Sequence, residues 1–207
     1  MQLVQDRSSH IIRYKSQLQM HTGQTLRADF IKAKKYQPPI ISDLNVQLAL
    51  QSHITLIQAL SAQIKVLETS ILTQVAPEQS FKQLKTAPGI GDILSQTILL
   101  ETGDITRFKG PGNFASYCRC VDSRRESNGK KKGENNRKNG NKHLAWAFIE
   151  AANFAVRHSD RANRYYHKKC QATNSIVARK ALAHKLARAC YWVMRKKTDF
   201  NEDLMFR

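Results

Sequence analysis

Acidic side chains are scarce in this chain: 16 Asp and Glu stand against 34 Lys and Arg in 207 residues, a formal net charge of +18. That excess disfavours a cationic partner and favours a polyanion, because each neutralised phosphate releases condensed counter-ions. Long apolar runs are missing as well. None approaches the roughly 18–20 residues needed to span a bilayer, and the opening MQLVQDRSSHIIRYK has no apolar core of the signal-peptide kind. The expectation is a cytoplasmic protein with no membrane partner. Cysteines number only four, Cys118, Cys120, Cys170 and Cys190. They could form two disulfides, but without a secretory signal reduced thiols are expected. A zinc site from Cys118, Cys120 and His143 is disfavoured, since one intervening residue is not the usual knuckle spacing. Carboxylate clusters of the magnesium-binding kind are also lacking. From residue 76 onward the acids are scattered, so no metal site and no bound cofactor is expected in this chain.

The charge that is present is uneven. Residues 1–75 hold eight Lys or Arg and four acids, and residues 76–207 hold 26 and 12, for net charges of +4 and +14. A nucleic-acid partner therefore belongs mainly to the second part. Residues 3–35 read as a polar helix stopped by Pro38 and Pro39, within an N-terminal helical linker at 1–39. From Asp43 to Gln74 there is no Gly or Pro. Leu50, Ile57, Ile64 and Ile71 recur every seventh residue, with Leu60 and Leu67 three after two of them. That seam predicts a coiled-coil helix at 40–76 that dimerises or spaces domains, against the plainer reading of one amphipathic helix folded back on its own chain.

Residues 77–207 read as a C-terminal domain. At 81–101 the pattern is helix, tight turn, helix, with the turn at Pro88-Gly89-Ile90-Gly91. Gly89 and Gly91 allow close backbone approach and leave the next helix with free N–H groups, a helix-hairpin-helix device for gripping a DNA phosphate. At 117–142 an aromatic-led turn runs into a basic, glycine- and asparagine-rich loop. Between Cys118 and Lys142 it holds nine Lys or Arg, three acids, and the hydroxyls of Ser123 and Ser127. Too polar to pack a core, it is either a solvated surface loop with counter-ions or a candidate for holding a phosphodiester while a serine attacks, through Arg124, Arg125, Lys130, Lys131, Lys132, Arg137, Lys138 and Lys142. Any strands in the chain would be short ones in this loop. Asn141 is a candidate cap for the apolar helix from Lys142 to about Arg157, in which Glu150 needs a partner. A last helix, 174–196, carries Lys180, His184, Arg188, Tyr191 and Arg195 on one side, a basic face with one aromatic. The fold expected is mainly α: a long coiled-coil arm, then a helical domain with core and C-terminal helices at 142–196.

These residues carry a resemblance. The region from about Ala87 to Arg195 resembles the C-terminal half of bacterial transposases of the insertion sequence 110 / 1111 family. The family pattern has Tyr, Gly-Leu, Pro, then Ser-Gly ten residues after the Tyr, a basic-glycine stretch, Lys-x-Gly-Asn, and an apolar helix ending in Ala-Ala. Here Tyr117, Ser127, Lys138-Asn139-Gly140-Asn141 and Ala151-Ala152 fill the matching places, preceded by Pro88-Gly89-Ile90-Gly91. Arg119 and Cys120 stand in place of Gly-Leu and Asp122 in place of Pro, while Asn128 separates Ser127 from Gly129, so Ser123 stays open as an alternative nucleophile.

The resemblance implies DNA as partner, a structured guide RNA in those members that use one, and Ser127 as the nucleophile of strand cleavage. It also implies an RuvC-like acidic domain that holds magnesium. Residues 1–75 resemble the connecting helices that follow that domain, so it is expected upstream of Met1, with this chain inactive alone. The alternative is a non-catalytic nucleic-acid-binding protein derived from a transposase.

Overall fold

The computed structural model describes residues 1–121, 124–134 and 139–206, with the backbone alone for 124–127 and 131–134. The chain is mainly α-helical and divides within its longest helix into two units, Met1–Ile71 and Leu72–Arg207.

The first unit is built from α1 (Gln2–Thr22), α2 (Ala28–Ile31) and most of α3 (Leu44–Val75). Helix α1 buries one narrow stripe, Ile11, Tyr14 and Leu18, spaced three and four apart. It stops at Gly23, whose φ of 69° is the left-handed cap conformation and whose N–H bonds to the Gln19 carbonyl. The single helix expected over 3–35 is therefore broken. The α1 stripe and Ile31 pack against Leu50, Ile54 and Ile57 of α3. The Tyr14 and Tyr36 hydroxyls meet at 2.6 Å, and burial, then Tyr36, pushes the Tyr14 phenol above its ordinary value.

This core gives part of the heptad a partner within the chain. Leu50 and Ile57 are fully buried inside the unit, so these two residues of the predicted seam serve as the inner face of a helix packed on its own chain. Ile64 is also buried, whereas Leu67 is half exposed at 49%. Seven-residue spacing identifies an apolar face. It does not say which helix covers it.

The second unit contains α4 (Gln79–Leu84), α5 (Asp92–Thr102), a 3₁₀ turn at Ile105–Arg107 and α6 (Pro111–Tyr117). The strands β1 (Arg124–Ser127) and β2 (Lys130–Glu134) follow. Then come α7 (Lys142–His158), α8 (Asp160–Ala172), α9 (Ser175–Lys196) and α10 (Glu202–Met205). Side-chain caps fix the starts of the last four helices. Asn141, Ser159, Asn174 and Asn201 each accept from a backbone N–H of the following first turn, a device worth about 1 kcal/mol apiece.

Helix α9 contacts α4, α6, α7, α8 and α10, and α7 contacts α5, α8 and α9. Their mutual approach rests on small residues: Ala147, Ala151, Ala152 and Ala155 of α7 and Ala183 and Ala187 of α9 are fully buried. The α4–α5 turn comes closest. Gly89 sits at φ +82°, and a Cβ there would lie 2.4 Å from the Ala151 carbonyl oxygen and 2.6 Å from the Ala155 nitrogen. Around Phe114 an aromatic cluster fills the remaining space, with Phe108, Phe148 and Tyr191 at centroid distances of 5.2, 6.0 and 6.2 Å.

Two outcomes are expected for the first unit. Ile57→Asp should unfold it in the full chain, because an unpaired carboxylate in this core costs several kcal/mol, whereas Leu67→Asp should leave its melting temperature nearly unchanged. Thermal unfolding followed by circular dichroism distinguishes them.

The second outcome is a pH dependence. His10 and His53 meet Nδ1 to Nδ1 at 3.0 Å. Desolvation, then the charges of His10 and Arg13, hold His53 below its ordinary value. The unfolded chain therefore takes up this proton more readily than the folded one. Stability from this site is complete above about pH 6.5 and is lost as pH falls below it. A melting temperature that does not fall on acidification through that range, or falls equally in a His53→Gln variant, would contradict the assignment.

Candidate nucleic-acid interface

The basic loop leaves the helical scaffold at Tyr117 and returns at Asn141, and these two residues close its root. The Asn141 N–H donates to the Tyr117 carbonyl at 2.7 Å, and Arg119 Nη2 donates to the Gly140 carbonyl at 3.1 Å. Asn141 does three things at once. Its Oδ1 accepts from the His143 and Leu144 N–H groups at 2.8 and 3.0 Å, capping α7, while its Nδ2 donates to Glu101 Oε2 of α5 at 2.6 Å. Gly140 is required on two counts. Its φ is +77°, and a Cβ would fall 2.5 Å from the Tyr117 carbonyl oxygen. The Gly-Asn pair thus has a structural reason: one residue permits the approach and the other fastens it.

Tyr117 is held from its ring side too. The Arg107 guanidinium lies 4.7 Å from the Tyr117 ring centroid and 4.4 Å from that of Phe108. Hydrogen bonds from Arg107, then from Asn141, hold the Tyr117 hydroxyl below its ordinary pKa.

From this root rises an antiparallel hairpin. Arg124 pairs with Glu134, Arg125 with Gly133, Glu126 with Lys131 and Ser127 with Lys130. The step from Gly133 to Lys131 leaves Lys132 as the extra residue of a bulge. Asn128 and Gly129, both at positive φ (53° and 70°), form the two-residue turn, and this Asn-Gly pair is the favoured choice for such a hairpin. Ser127 is therefore the last residue of β1, immediately before the turn and paired with Lys130, which is exposed. Its side chain lies outside the described residues, as do those of Arg124, Arg125, Lys131 and Lys132, and the whole of Asp122, Ser123, Arg137 and Lys138.

The other sequence-assigned residues lie elsewhere in the second unit. Lys142 opens α7. Gly91 precedes α5, with open space where a Cβ would be, whereas Gly89 faces α7. Asp92, in the first turn of α5, is paired to Lys85 at 2.6 Å, so a carboxylate accompanies the free N–H groups there. On α9, Arg188 and Arg195 are exposed and Lys180 is half-buried. His184 is half-buried, and desolvation, then Arg188 and Lys185, keep it below its ordinary value and favour the neutral ring.

Tyr191 corrects the sequence reading of that face. It is buried at 3% exposure, and its hydroxyl donates to the Phe108 carbonyl at 3.3 Å. The exposed aromatic of α9 is its neighbour Trp192, at 46%. Only the packing of α6 against α9 decides between adjacent aromatics, so no spacing rule could have found it. Glu150 borders a small polar pocket with Arg157 and Arg179 and accepts from Asn153 at 3.4 Å.

Cys118, Cys120 and Cys190 are buried. Burial pushes Cys120 and Cys190 up to about 12, and Cys118 higher still, so they persist as thiols. Among the described residues, no three His, Cys, Asp or Glu side chains gather as a metal site would require. Nor is any described helix long and apolar enough to cross a membrane.

Residues 81–167, which run from α4 through the hairpin into α8, match the family model described as Transposase IS116/IS110/IS902 family. That segment is similar to the transposase domain of that family. The match agrees with the resemblance carried by the Tyr117-to-Ala152 motifs, and it gives the chain a transposase-related role. No curated protein matches the chain significantly.

If the root holds the loop as described, Asn141→Ala should cost about 1–2 kcal/mol from the cap alone. Gly140→Ala should cost more, since it adds left-handed strain to a backbone clash. Denaturant unfolding of the full chain reads both; a Gly140→Ala variant as stable as the parent would remove the root from the account.

Proposed function

We infer that this chain is the DNA-binding, serine-bearing part of an insertion-sequence transposase. Ser127 is its nucleophile, and the basic residues of the loop and of α9 carry the DNA backbone. The observation that carries this reading is the position of Ser127 at the end of β1, against an Asn-Gly turn and opposite Lys130, inside the segment that matches the transposase family. A hairpin tip is where a short hydroxyl side chain can reach into a bound duplex, and the surrounding charge neutralises the phosphates it approaches.

In the step proposed, Ser127 Oγ bonds to phosphorus and a sugar oxygen leaves. The proton of the serine hydroxyl goes to a base, and the departing oxygen takes up another. A serine hydroxyl ionises far above neutral pH, so it needs such a base close by. Asp122 and Glu126 are the acids that flank the serines in the sequence; the resemblance implies that the activating carboxylates come instead from a complementing acidic domain, on this polypeptide or another. The turn before α5 serves as a second grip on the backbone, through N–H groups past Gly91. In members of the family that use a guide RNA, the same basic surface would hold it.

DNA affinity should fall by roughly a thousandfold or more between low and physiological salt if six or more phosphates are contacted. The 207-residue chain should bind DNA without cutting it, even with magnesium. Adding an RuvC-like domain from a close relative should produce a covalent protein–DNA adduct on denaturing gels. Ser127→Ala should abolish that adduct with DNA binding almost intact, and Ser123→Ala should not. An adduct mapped to Ser123 would move the nucleophile. No adduct under any complementation, with salt-sensitive binding retained, would leave the non-catalytic DNA-binding reading.

A further inference from the structure

Beyond the basic loop, the end of α9 and the segment that returns along it enclose a groove of about 640 Å³. The chain reverses at Lys197, in left-handed conformation with φ 52°, and runs back through Thr198 to α10. That return is firmly attached. The Phe200 N–H donates to Thr86 Oγ1 at 2.8 Å, Lys185 Nζ donates to the Met205 carbonyl at 2.9 Å, and Ser159 and Arg161 bond to Glu202 and Asp203. The groove is thus a built feature of the second unit.

Its lining combines three chemistries. Val193 and Met205 make an apolar floor, and Trp192 and Leu204, at 46% and 61% exposure, stand at the edges. Arg188 and Lys196 are exposed, and neither forms an ion pair among the described residues, while Asp199 is the one acid in the lining. The Lys196 ammonium lies over the Trp192 ring, 5.1 Å from its centroid, and the Tyr191 ring stands nearly perpendicular to it with 5.2 Å between centroids. A large apolar ring held at an edge, with cations beside it and volume in front of it, matches a flat aromatic group that carries a negative charge.

We propose that this groove takes an unpaired nucleotide of a single strand, its base stacked on Trp192 and its phosphate beside Arg188 and Lys196. In a duplex the base faces are covered by their neighbours, so stacking on an aromatic side chain selects strands whose bases are free. Pockets for small ligands fall between about 300 and 1,000 Å³, and this volume suits one nucleotide. The inference rests on the nucleic-acid reading above and adds to it a site for unpaired bases, separate from the serine hairpin. A peptide carrying acidic residues is the competing occupant; its carboxylates suit the cations, but Asp and Glu side chains themselves offer no flat ring to Trp192.

The test measures binding of the full chain to a twelve-nucleotide oligo-dT, the matching oligo-U and a mixed-sequence duplex, alongside Trp192→Ala and Trp192→Phe variants of unchanged melting temperature. Trp192→Ala should weaken binding of at least one single strand by roughly tenfold or more, Trp192→Phe should restore most of it, and duplex binding should stay unchanged. Which strand responds tells DNA from RNA. In a Trp146→Phe background, the remaining indole fluorescence should be quenched by the responsive strand and not by the duplex. The proposal is overturned if Trp192→Ala leaves both single strands unaffected, if it weakens strand and duplex equally, or if polyglutamate competes as well as the oligonucleotide. Loss of all nucleic-acid binding by the parent chain would instead overturn the proposed function.

Discussion

Because the turn at Gly89 and helix α7 meet backbone to backbone, neither can shift without the other. The space a Cβ would need is already taken by the Ala151 carbonyl and the Ala155 amide, and the helix face that makes this possible is alanine. Interiors pack at crystal-like density, and a contact between main chains has no side-chain rotamers with which to relax. The position of α7 therefore sets the position of Asn141 at its start, and Asn141 in turn fixes Tyr117, Glu101 and the root of the basic loop. A chain of rigid contacts runs from a glycine turn to the base of the serine hairpin. It does so without a single buried ion pair among the described residues; the described ion pairs all lie on exposed side chains.

The surface has the opposite character. Cations stand on the hairpin, at the start of α7 and along α9, with few acids near them, and their mutual repulsion opposes folding slightly while favouring any polyanion. A small-residue interior tolerates this because its stability comes from packing rather than from charge. Several carboxylates of the second unit are engaged locally: Asp92 with Lys85, Asp203 with Arg161, Glu101 with Asn141. Such pairing leaves the field of the free lysines and arginines less opposed.

Much of the helical order could be read from residues alone, since the runs over 44–75, 142–158 and 175–196 keep apolar periodicity without interruption, and Asn141 declares a cap. What escaped has physical causes. The end of α1 depends on one left-handed residue, Gly23, among polar residues whose periodicity continues past it. The heptad at Leu50 and Ile57 describes an apolar face, and the partner turned out to be α1 of the same chain. On α9, Tyr191 and Trp192 are adjacent, and only the neighbouring aromatic cluster decides which one is buried. The motif residues Gly89 and Gly140 were legible as glycines that matter. The reason, contact with Ala151 and with Tyr117, needed three dimensions.

A loop whose ends are tied together by hydrogen bonds behaves, for the rest of the fold, as though it were not there. Cys118, Cys120 and Val121 still belong to the core, but the hairpin that follows them leaves and rejoins the scaffold at one point, so α6 and α7 sense its closure more than its content. Closure entropy grows only with the logarithm of length, and doubling such a loop costs about 0.6 kcal/mol, less than one helix cap. Insertions and deletions at the Asn128-Gly129 turn are accordingly cheap, while changes at the knot or at the buried Cys118 and Cys120 are not. This arrangement lets the hairpin diversify in length and sequence on a framework that stays constant.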